Sequence, residues 1–300
     1  MNTQVLPRPS NNVRAASPVR IRPGHVADAE KCAAICHQAF ADVSGRHGFP
    51  PEISAQAVHE LMGMLFTRPD VSSFIAERDG EIVGSNFLWT WRPIPAIGPL
   101  TVVPIGQDAA VGRRLMEAAL NTVNEMNAAG VRLVQATYNM RSMALYTKLG
   151  FQVRELLACF QGAPVKVSNA AHTTRKATTS DIDACLALCA RVLGHERREE
   201  LLDAVGRGVA IVAEKNGRVV AYTTTVGFFS HAVAEDNEAL KALIAAAETF
   251  PGPGFLVPMR NTELFRWCLD NGLRLVQPMT LMTRGEYTEP RGAYLPSVLL

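Results

Sequence analysis

The sequence contains the same three segments twice, in the same order. "VADAEKCAAICHQAF" aligns without gaps with "TSDIDACLALCARVL" 153 residues later, so that Cys32 matches Cys185. "FIAERDG" aligns with "IVAEKNG" 137 residues later, and "NMRSMALYTKLGF" aligns with "NTELFRWCLDNGL" 122 residues later. The decreasing offsets indicate that the second copy is shorter on both sides of its middle segment. A duplicated unit of roughly 130 residues in a chain of 300 predicts two domains of similar fold.

Both copies combine helical and strand patterns. Asp79-Gly80 and Asn216-Gly217 each separate two apolar segments, which is a strong signal for a β-hairpin. In the first copy, the apolar spacing predicts helices near 55–66, from about 110 and around 142–148, and strands at 97–103, 132–137 and from 151 onward. This mixture predicts an α/β (α+β) fold, with each domain built as a mixed, mainly antiparallel sheet flanked by helices.

The repeat also predicts where the domains begin and end. Residues 1–17 are rich in Pro, Ser and Asn, which indicates a flexible N-terminal arm. The first domain is expected at 18–164 and the second at 165–300. The segment "QGAPVKVSNAAH", residues 161–172, is the expected join.

Composition excludes some classes of protein. The net charge of +2 argues against a protein that binds nucleic acid through a concentrated basic face. No apolar run approaches the roughly 20 residues of a membrane-spanning helix, and no basic amphipathic helix suggests a membrane-surface role. The N-terminus has no apolar segment of the kind found in a secretory signal, so a cytoplasmic location is expected.

Two cysteine pairs repeat with helical spacing. Cys32 and Cys36 are four residues apart, as are Cys185 and Cys189, so each pair lies on one helix face among apolar neighbours. Buried cysteine behaves as a small apolar residue, and no histidine or further cysteine is placed to complete a metal site. We therefore expect four core residues and no metal.

The segment "PIGQDAAVGRRLM" joins a predicted strand to a predicted helix. A helix N-terminus has free backbone N–H groups and a partial positive charge, and it therefore attracts anions. Small side chains at Ala109, Ala110 and Gly112 let a diphosphate approach the backbone, while Arg113 and Arg114 add positive charge. From these residues alone, a tight turn with solvated arginines is an equally good interpretation.

Two motifs carry a resemblance to the GNAT acyltransferases. "VVPIGQDAAVGRRLM" resembles their pyrophosphate loop, with Gln107, Val111, Gly112 and Arg113 in the pattern and Ala110 in place of its first glycine. "NMRSMALYTKLGF" is similar to their second motif, with Ser142 where the family has alanine. The resemblance covers roughly 18–162 directly, and the rest of the chain through its similarity to the first copy.

The resemblance implies that acetyl-CoA binds in a cleft between two diverging strands as a co-substrate, without a metal. The residues expected to bind it are Leu100, Val102, Val103, Gln107, Asp108, Ala109, Ala110, Val111, Gly112, Arg113 and Asn139. An amine then attacks the thioester directly, and Tyr146 donates a proton to the departing thiolate. Tyr146 also fits a packed core aromatic or a hydroxyl that only binds the cofactor, and Asn139 also fits a helix cap.

The acceptor side is less defined. No general base stands out among His47, Glu52 and His59. Trp89 and Trp91 lie on one face of a strand, and they indicate either an aromatic wall of the acceptor site or packing against the second domain. The acceptor is expected to be a small-molecule or peptide amine, and pairing of exposed sheet edges is compatible with a homodimer.

The second copy lacks both motifs. Cys268 stands at the position of Tyr146, although Asn261 matches Asn139. The loop is replaced by "SHAVAEDNEALKAL", which begins its helix with Glu235, Asp236 and Glu238 and would repel a diphosphate. The second domain is therefore predicted to be degenerate and non-catalytic. The leading hypothesis is an N-acetyltransferase; a non-catalytic acyl-CoA sensor or pseudoenzyme and a structural partner-binding protein are the alternatives.

Overall fold

Local sequence signals produce matching elements in the two halves of the chain. A computed structural model describes residues 17–50, 53–104, 110–167 and 171–299. The strands are β1 Arg20–Pro23, β2 Val71–Arg78, β3 Glu81–Trp89, β4 Ala96–Ile97, β5 Thr101–Val102, β6 Gly130–Ala136, β7 Gln152–Gln161, β8 Thr173–Lys176, β9 Ile211–Lys215, β10 Arg218–Thr223, β11 Ala232–Ala234, β12 Phe255–Pro258, β13 Arg274–Gly285 and β14 Ala293–Leu295. The helices are α1 Ala29–Arg46, α2 Ala55–Thr67, α3 Val111–Glu125, α4 Met140–Lys148, α5 Ile182–Leu193, α6 Arg198–Gly206, α7 Asn237–Ala246 and α8 Thr262–Asp270. The predicted α/β architecture with mainly antiparallel sheets is confirmed.

The two hairpin turns are nearly identical. Asp79 and Gly80 have φ values of 53° and 80°, and Asn216 and Gly217 have 53° and 74°. Two successive residues with positive φ form the turn that matches the twist of antiparallel strands, and Asp-Gly and Asn-Gly adopt it most readily. The turns join β2 to β3 and β9 to β10. Both predicted hairpins are therefore present.

A partly exposed ion cluster is also repeated. In the first half Arg22 lies 2.7 Å from the carboxylate of Asp28 and 2.7 Å from that of Glu77. In the second half Arg175 lies 2.7 Å from the carboxylate of Asp181 and 2.6 Å from that of Glu214. The carboxylate nearer in sequence also accepts a backbone N–H from three residues earlier in both halves. The arginine fixes the first strand of its half to the following helix and to the hairpin. The matching residues are Arg22, Asp28 and Glu77, and Arg175, Asp181 and Glu214.

The strands of the two halves do not form two separate sheets. Within the described residues, nine strands form one sheet in the order β1-β2-β3-β4-β6-β13-β7-β12, with β5 also paired to β3. Five strands form a second sheet in the order β14-β11-β10-β9-β8. Strand β13, from the second half of the chain, therefore lies between β6 and β7 of the first half.

The exchange between the halves follows a twofold pattern. Gln152 pairs with Thr283, and Gln161 pairs with Arg274. The third repeated segment has an offset of 122 residues, and this offset relates Gln152 to Arg274 and Gln161 to Thr283. Each of the two pairs is therefore the repeat of the other. Each half thus places its long strand between two strands of the other half. The predicted domain boundary at 164/165 falls just after β7, so strands from both sides of it share the central sheet.

The core is divided by the central sheet. Phe87 and Trp89 on β3 pack with residues of α1 and α2, while Leu88 points to the other face and packs with α3. Cys32, Cys36, Cys185 and Cys189 are buried in these helix–sheet interfaces, as predicted. In the described part of the chain no helix is long and apolar enough to span a membrane.

The strand predicted at 97–103 is interrupted. It consists of β4 and β5, separated by residues 98–100, because Pro99 has no backbone N–H to continue a ladder. Among the described residues, strand β4 pairs in parallel with β6 at Ala96 and Arg132 alone, whereas β5 pairs only with β3. The sheet consequently opens between β5 and β6, and this gap positions the candidate site.

Candidate active site

The helix that faces the gap begins at a strained residue. Ala110 precedes α3 with φ 57° and ψ 15°, in the left-handed region that favours glycine. An alanine in this conformation costs roughly 1 kcal/mol or more. The loop position that carries glycine in the resembled motif therefore does require positive φ in this chain. Gln107, Asp108 and Ala109, which were predicted to bind the cofactor, lie outside the described residues.

The two arginines at the start of α3 have different environments. Arg113 is half-exposed, borders the gap and lies 3.3 Å from the Glu117 carboxylate. Arg114 turns away and donates a hydrogen bond to the carbonyl of Val19. Of these two arginines, only Arg113 is therefore placed to contact a ligand in the gap. Gly112 also borders the gap, whereas Val111 is buried in the core.

A cavity of about 570 Å³ occupies the outer part of the gap. Residues of α1, β5, the start of α3 and α4 line it, including Leu100, Val102 and Asn139. Among the described lining residues there are several cationic side chains and no carboxylate, so the cavity attracts polyanions. The cationic residues are Arg46, Arg113, Arg141 and Lys148. Of these, the sequence analysis singled out only Arg113, because the others line the cavity from α1 and α4, which lie far apart in the sequence.

Val103 differs from its predicted role. It does not line either of the cavities described here, and its backbone N–H donates to the carbonyl of Val83 at 3.0 Å. That N–H group is therefore already hydrogen-bonded within the protein and is not free to bind a cofactor. Leu100 and Val102 remain at the cavity wall, where β5 ends.

A smaller cavity of about 110 Å³ continues inward and shares several wall residues with the larger one. Tyr146 lines it, and its side chain is only 7% exposed. Burial raises the pKa of Tyr146 to about 12, although a hydrogen bond with Ser142 acts in the opposite direction. The phenol is consequently protonated throughout the physiological pH range and can act only as a proton donor there.

Asn139 lies where the two cavities meet. Its side-chain oxygen accepts the backbone N–H of Ser142 at 3.2 Å and caps α4. Asn261 caps α8 in the same way through the N–H of Leu264, also at 3.2 Å. The cap is therefore a structural function that both halves share. Because Asn139 also borders both cavities, the cap holds Ser142 and Tyr146 in place beside the gap.

The inner end of the smaller cavity is built by the second half of the chain. Phe228 and Phe229 from the β10–β11 connection, Met279 from β13, and Val298 and Leu299 near the C-terminus close it. None of these residues was identified from the sequence. Val298 and Leu299 lie in the segment "LPSVLL", which the packing of the second half brings to this cavity.

Gln135 on β6 is a further wall residue that the sequence analysis missed. It is 7% exposed, and neither its amide nitrogen nor its amide oxygen has a hydrogen-bond partner among the described residues. A buried amide without partners is destabilising. A bound molecule with a carbonyl or N–H group at this wall would satisfy it.

Trp89 and Trp91 do not line either cavity. Their ring centroids are 4.7 Å apart, and the Arg68 guanidinium lies 5.4 Å from the Trp89 ring. Both rings are buried with residues of α1 and α2 and with Leu299 of the second half. This arrangement matches the packing alternative that the strand pattern left open.

The residues weighed as general bases are dispersed. His47 borders the larger cavity, and its Nδ1 lies 2.8 Å from the carbonyl of Val43. His59 is exposed on α2 and borders neither cavity. Glu52 lies outside the described residues. Only His47 is thus near the gap in the described part of the chain.

The second half has a different arrangement at the equivalent helix. The Asp236 side chain accepts the backbone N–H of Ala239 at 2.9 Å and caps α7. Glu235 accepts hydrogen bonds from Arg218 and Arg191. Cys268 is fully buried, and burial raises the pKa of its thiol to about 12. A carboxylate thus occupies the N-terminus of α7 in the second half. In the first half, the N-terminus of the equivalent helix α3 borders the cavity.

Known proteins share both the domain and the full-length architecture. Residues 40–151 match the acetyltransferase (GNAT) family. A protein of Pyrococcus horikoshii described as an acetyltransferase is 15% identical, with 95% of each chain covered and a TM-score of 0.70. A GCN5-related N-acetyltransferase of Sphaerobacter thermophilus is 14% identical, covering 91% of this chain and 98% of that one, with a TM-score of 0.61. No curated protein matches the chain.

A third structure shares this fold within a larger enzyme. It is the GCN5-related glucosamine N-acetyltransferase region of a fungal multi-domain GH3 β-N-acetylglucosaminidase, with a TM-score of 0.57 and 15% identity. The match covers 90% of this chain and 38% of that one. At these identities the solved structures show a common fold, and the family match identifies the first half. The family match thus assigns residues 40–151 to a GNAT acetyltransferase domain, and the solved structures share the fold of the chain as a whole.

Proposed function

We propose that this chain is an N-acetyltransferase that transfers the acetyl group of acetyl-CoA to a primary amine. The observation that carries the proposal is the two-part cavity: a cationic outer chamber of about 570 Å³ that leads to the buried phenol of Tyr146. The diphosphate end of the cofactor fits the cationic chamber, and the thioester end fits the narrow inner part. Acetyl-CoA supplies the activated acetyl thioester.

The chain's own residues have separate roles in this proposal. Arg113 and the free N–H groups at the start of α3 bind the diphosphate, since both are donors at a positive helix end. The gap between β5 and β6 holds the extended arm of the cofactor. The amine nitrogen forms a bond to the acetyl carbon and releases its surplus proton to water, while Tyr146 donates its phenolic proton to the sulfur as the carbon–sulfur bond breaks. The proton returns to Tyr146 from solvent.

The second half supports the site without its own chemistry. A carboxylate caps α7 where a diphosphate would have to bind, and a buried thiol replaces the phenol. We therefore propose one acetyl-CoA site per chain, with the second half closing the inner cavity where the acceptor amine reacts.

Calorimetric titration with acetyl-CoA tests the binding part. One site per chain is expected, and Arg113→Ala should weaken binding about tenfold because it removes a charge-assisted contact. Arg207→Ala is the matched control, since Arg207 forms the same type of (i, i+4) ion pair with Asp203 but lies far along the chain, in the second half. Equal affinity in both variants would argue against the site, and two sites per chain would contradict the degenerate second half.

Turnover tests the chemical part. Tyr146→Phe should lower kcat with a panel of primary amines by roughly 10²–10⁴-fold and leave the acetyl-CoA dissociation constant unchanged. Tyr138→Phe is the control, because it removes a hydroxyl that binds Gln277 and does not line the described cavities. Acetyl-CoA binding without turnover of any amine would instead favour a sensor or pseudoenzyme.

A further inference from the structure

A third, small cavity lies where the two halves of the chain meet. Its volume is about 20 Å³, enough for one water-sized species and too small for phosphate. Arg132 from β6 lines it together with Arg197, which precedes α6, and with Tyr287 and Tyr294 from the C-terminal segment. The cavity shares no wall residue with the proposed acetyl-CoA site, so a ligand of this cavity is independent of the proposed function.

Arg132 is a buried cation without a carboxylate partner. It is 8% exposed, its Nε has no hydrogen-bond partner, and it forms no ion pair among the described residues. Its Nη2 lies 3.4 Å from Nδ1 of His195. Burial and the nearby positive charges of Arg132 and Arg197 lower the pKa of His195 to about 3, so the imidazole is neutral at pH 7. Burial and the charge of Arg197 lower the pKa of Arg132 only to about 10, so the guanidinium remains charged.

The second guanidinium at the cavity is already neutralised. Arg197 binds Glu200 through two hydrogen bonds, one of them 2.5 Å between Nη2 and Oε1. Glu200 also lies 3.5 Å from Nδ1 of His231, whose pKa is lowered by burial and by Arg197. Glu200 therefore neutralises Arg197, and the charge of Arg132 has no carboxylate partner among the described residues. A buried charge in this state is strongly unfavourable.

Tyr287 is an independent indication of a ligand. Its hydroxyl is buried and has no hydrogen-bond partner within the described chain. A phenol can donate one hydrogen bond to an anion, as a guanidinium can. We propose that the cavity is a binding site for a single small anion of the chloride type, held by Arg132 and Tyr287. The anion neutralises Arg132 and connects β6 of the first half to the C-terminal segment of the second.

Bromide provides a direct test, because it replaces chloride and scatters X-rays anomalously. Crystals of the full chain grown in sodium bromide should show an anomalous peak within about 3.5 Å of the Arg132 guanidinium. The absence of a peak at this position would overturn the proposal, and so would a peak found only at exposed arginines.

Thermal unfolding supplies the second test. At constant ionic strength, replacing sodium gluconate by 200 mM sodium chloride should raise the Tm of the wild type by on the order of 3 °C, because the anion binds only the folded state. Arg132→Met should abolish this response, and Arg198→Met, at an exposed arginine near the same cluster, should retain it. An equal chloride response in both variants would contradict the site. If Arg132→Met does not fold, the bromide peak in the wild type decides.

Discussion

At the scale of single residues, Ala110 shows how one side chain limits the start of α3. Its φ of 57° is a conformation in which a Cβ atom is unfavourable, and glycine removes that penalty. The benefit is partly offset because glycine also increases the freedom of the unfolded chain.

We predict that Ala110→Gly stabilises the protein by about 0.5–1 kcal/mol in urea unfolding and does not weaken acetyl-CoA binding. Ala118→Gly, in the interior of the same helix, should destabilise by about 1 kcal/mol. Opposite signs of the two changes in the free energy of unfolding would distinguish an alanine in the left-handed conformation from an ordinary helical alanine. Destabilisation by both substitutions would show that the positive φ at residue 110 is not present in solution.

The buried carboxyl group of Glu200 makes the stability of the protein depend on pH. Burial alone would raise the pKa of this carboxyl, but the positive charge of Arg197 and hydrogen bonds from Arg197 and His231 outweigh it and lower the pKa to about 2. A carboxyl with a depressed folded pKa stabilises the fold above its unfolded value, which is about 4.3. That stabilisation is lost as the pH falls from about 4.3 toward 2.

We predict that Glu200→Gln destabilises the protein by about 3–5 kcal/mol at pH 7, because it leaves Arg197 buried without a carboxylate. The free energy of unfolding of the variant should also depend less on pH between 5 and 2 than that of the wild type. Glu199→Gln, exposed on the same helix, is the control and should change little at either pH. A variant with the wild-type pH dependence would exclude Glu200 as the titrating group.

At the scale of elements, the pairing of β13 with β6 brings the backbone at the end of β13 close to the backbone that precedes β6. A Cβ atom on Gly285 at the end of β13 would lie 2.5 Å from the carbonyl oxygen of Ala129. Gly80 has almost the same φ, 80° against 85°, but a Cβ atom there meets nothing within 4 Å. The two positions therefore have similar φ values and differ in the space around them.

We predict that Gly80→Ala costs about 1 kcal/mol of stability and Gly285→Ala about 3 kcal/mol, as measured by urea unfolding. The difference reports the backbone contact between the end of β13 and the segment that leads into β6. Equal losses would indicate that only the φ preference matters and that the two segments are not in tight contact.

At the scale of the whole molecule, the central sheet joins both halves in one structure. Strand β13 cannot separate without breaking its ladders to β6 and β7. Two independently folding domains would have a small, polar interface and would unfold separately. Here the shared sheet makes each half depend on strands of the other.

We therefore predict a single cooperative unfolding transition. In Trp267→Phe, the fluorescence comes from Trp89 and Trp91 in the first half, since the chain has 3 tryptophans. Its urea transition should coincide with the transition of the same variant followed by far-ultraviolet circular dichroism, which reports both halves. Two separate midpoints would show that the halves unfold independently. Circular dichroism of the wild type controls for the effect of the substitution itself.

Several features of this molecule depend only on local sequence. The Asp-Gly and Asn-Gly turns form because these residues accept positive φ, and α1 and α5 form because apolar residues recur at helical spacing. The motifs around Arg113 and Tyr146 indicated the acyltransferase family without reference to any distant part of the chain. The offset of 122 residues between the copies is also a property of the sequence alone.

Tertiary structure decided where these elements meet. Neither the insertion of β13 between β6 and β7 nor the closure of the inner cavity by Phe228 and Leu299 leaves a local signal. The same alternating pattern suits any antiparallel neighbour, and the choice of partner depends on packing across more than 100 residues of chain. The sequence thus determined the elements and the duplication and indicated the family of residues 40–151, whereas long-range pairing determined the shared sheet, the walls of the inner cavity and the buried charge of Arg132.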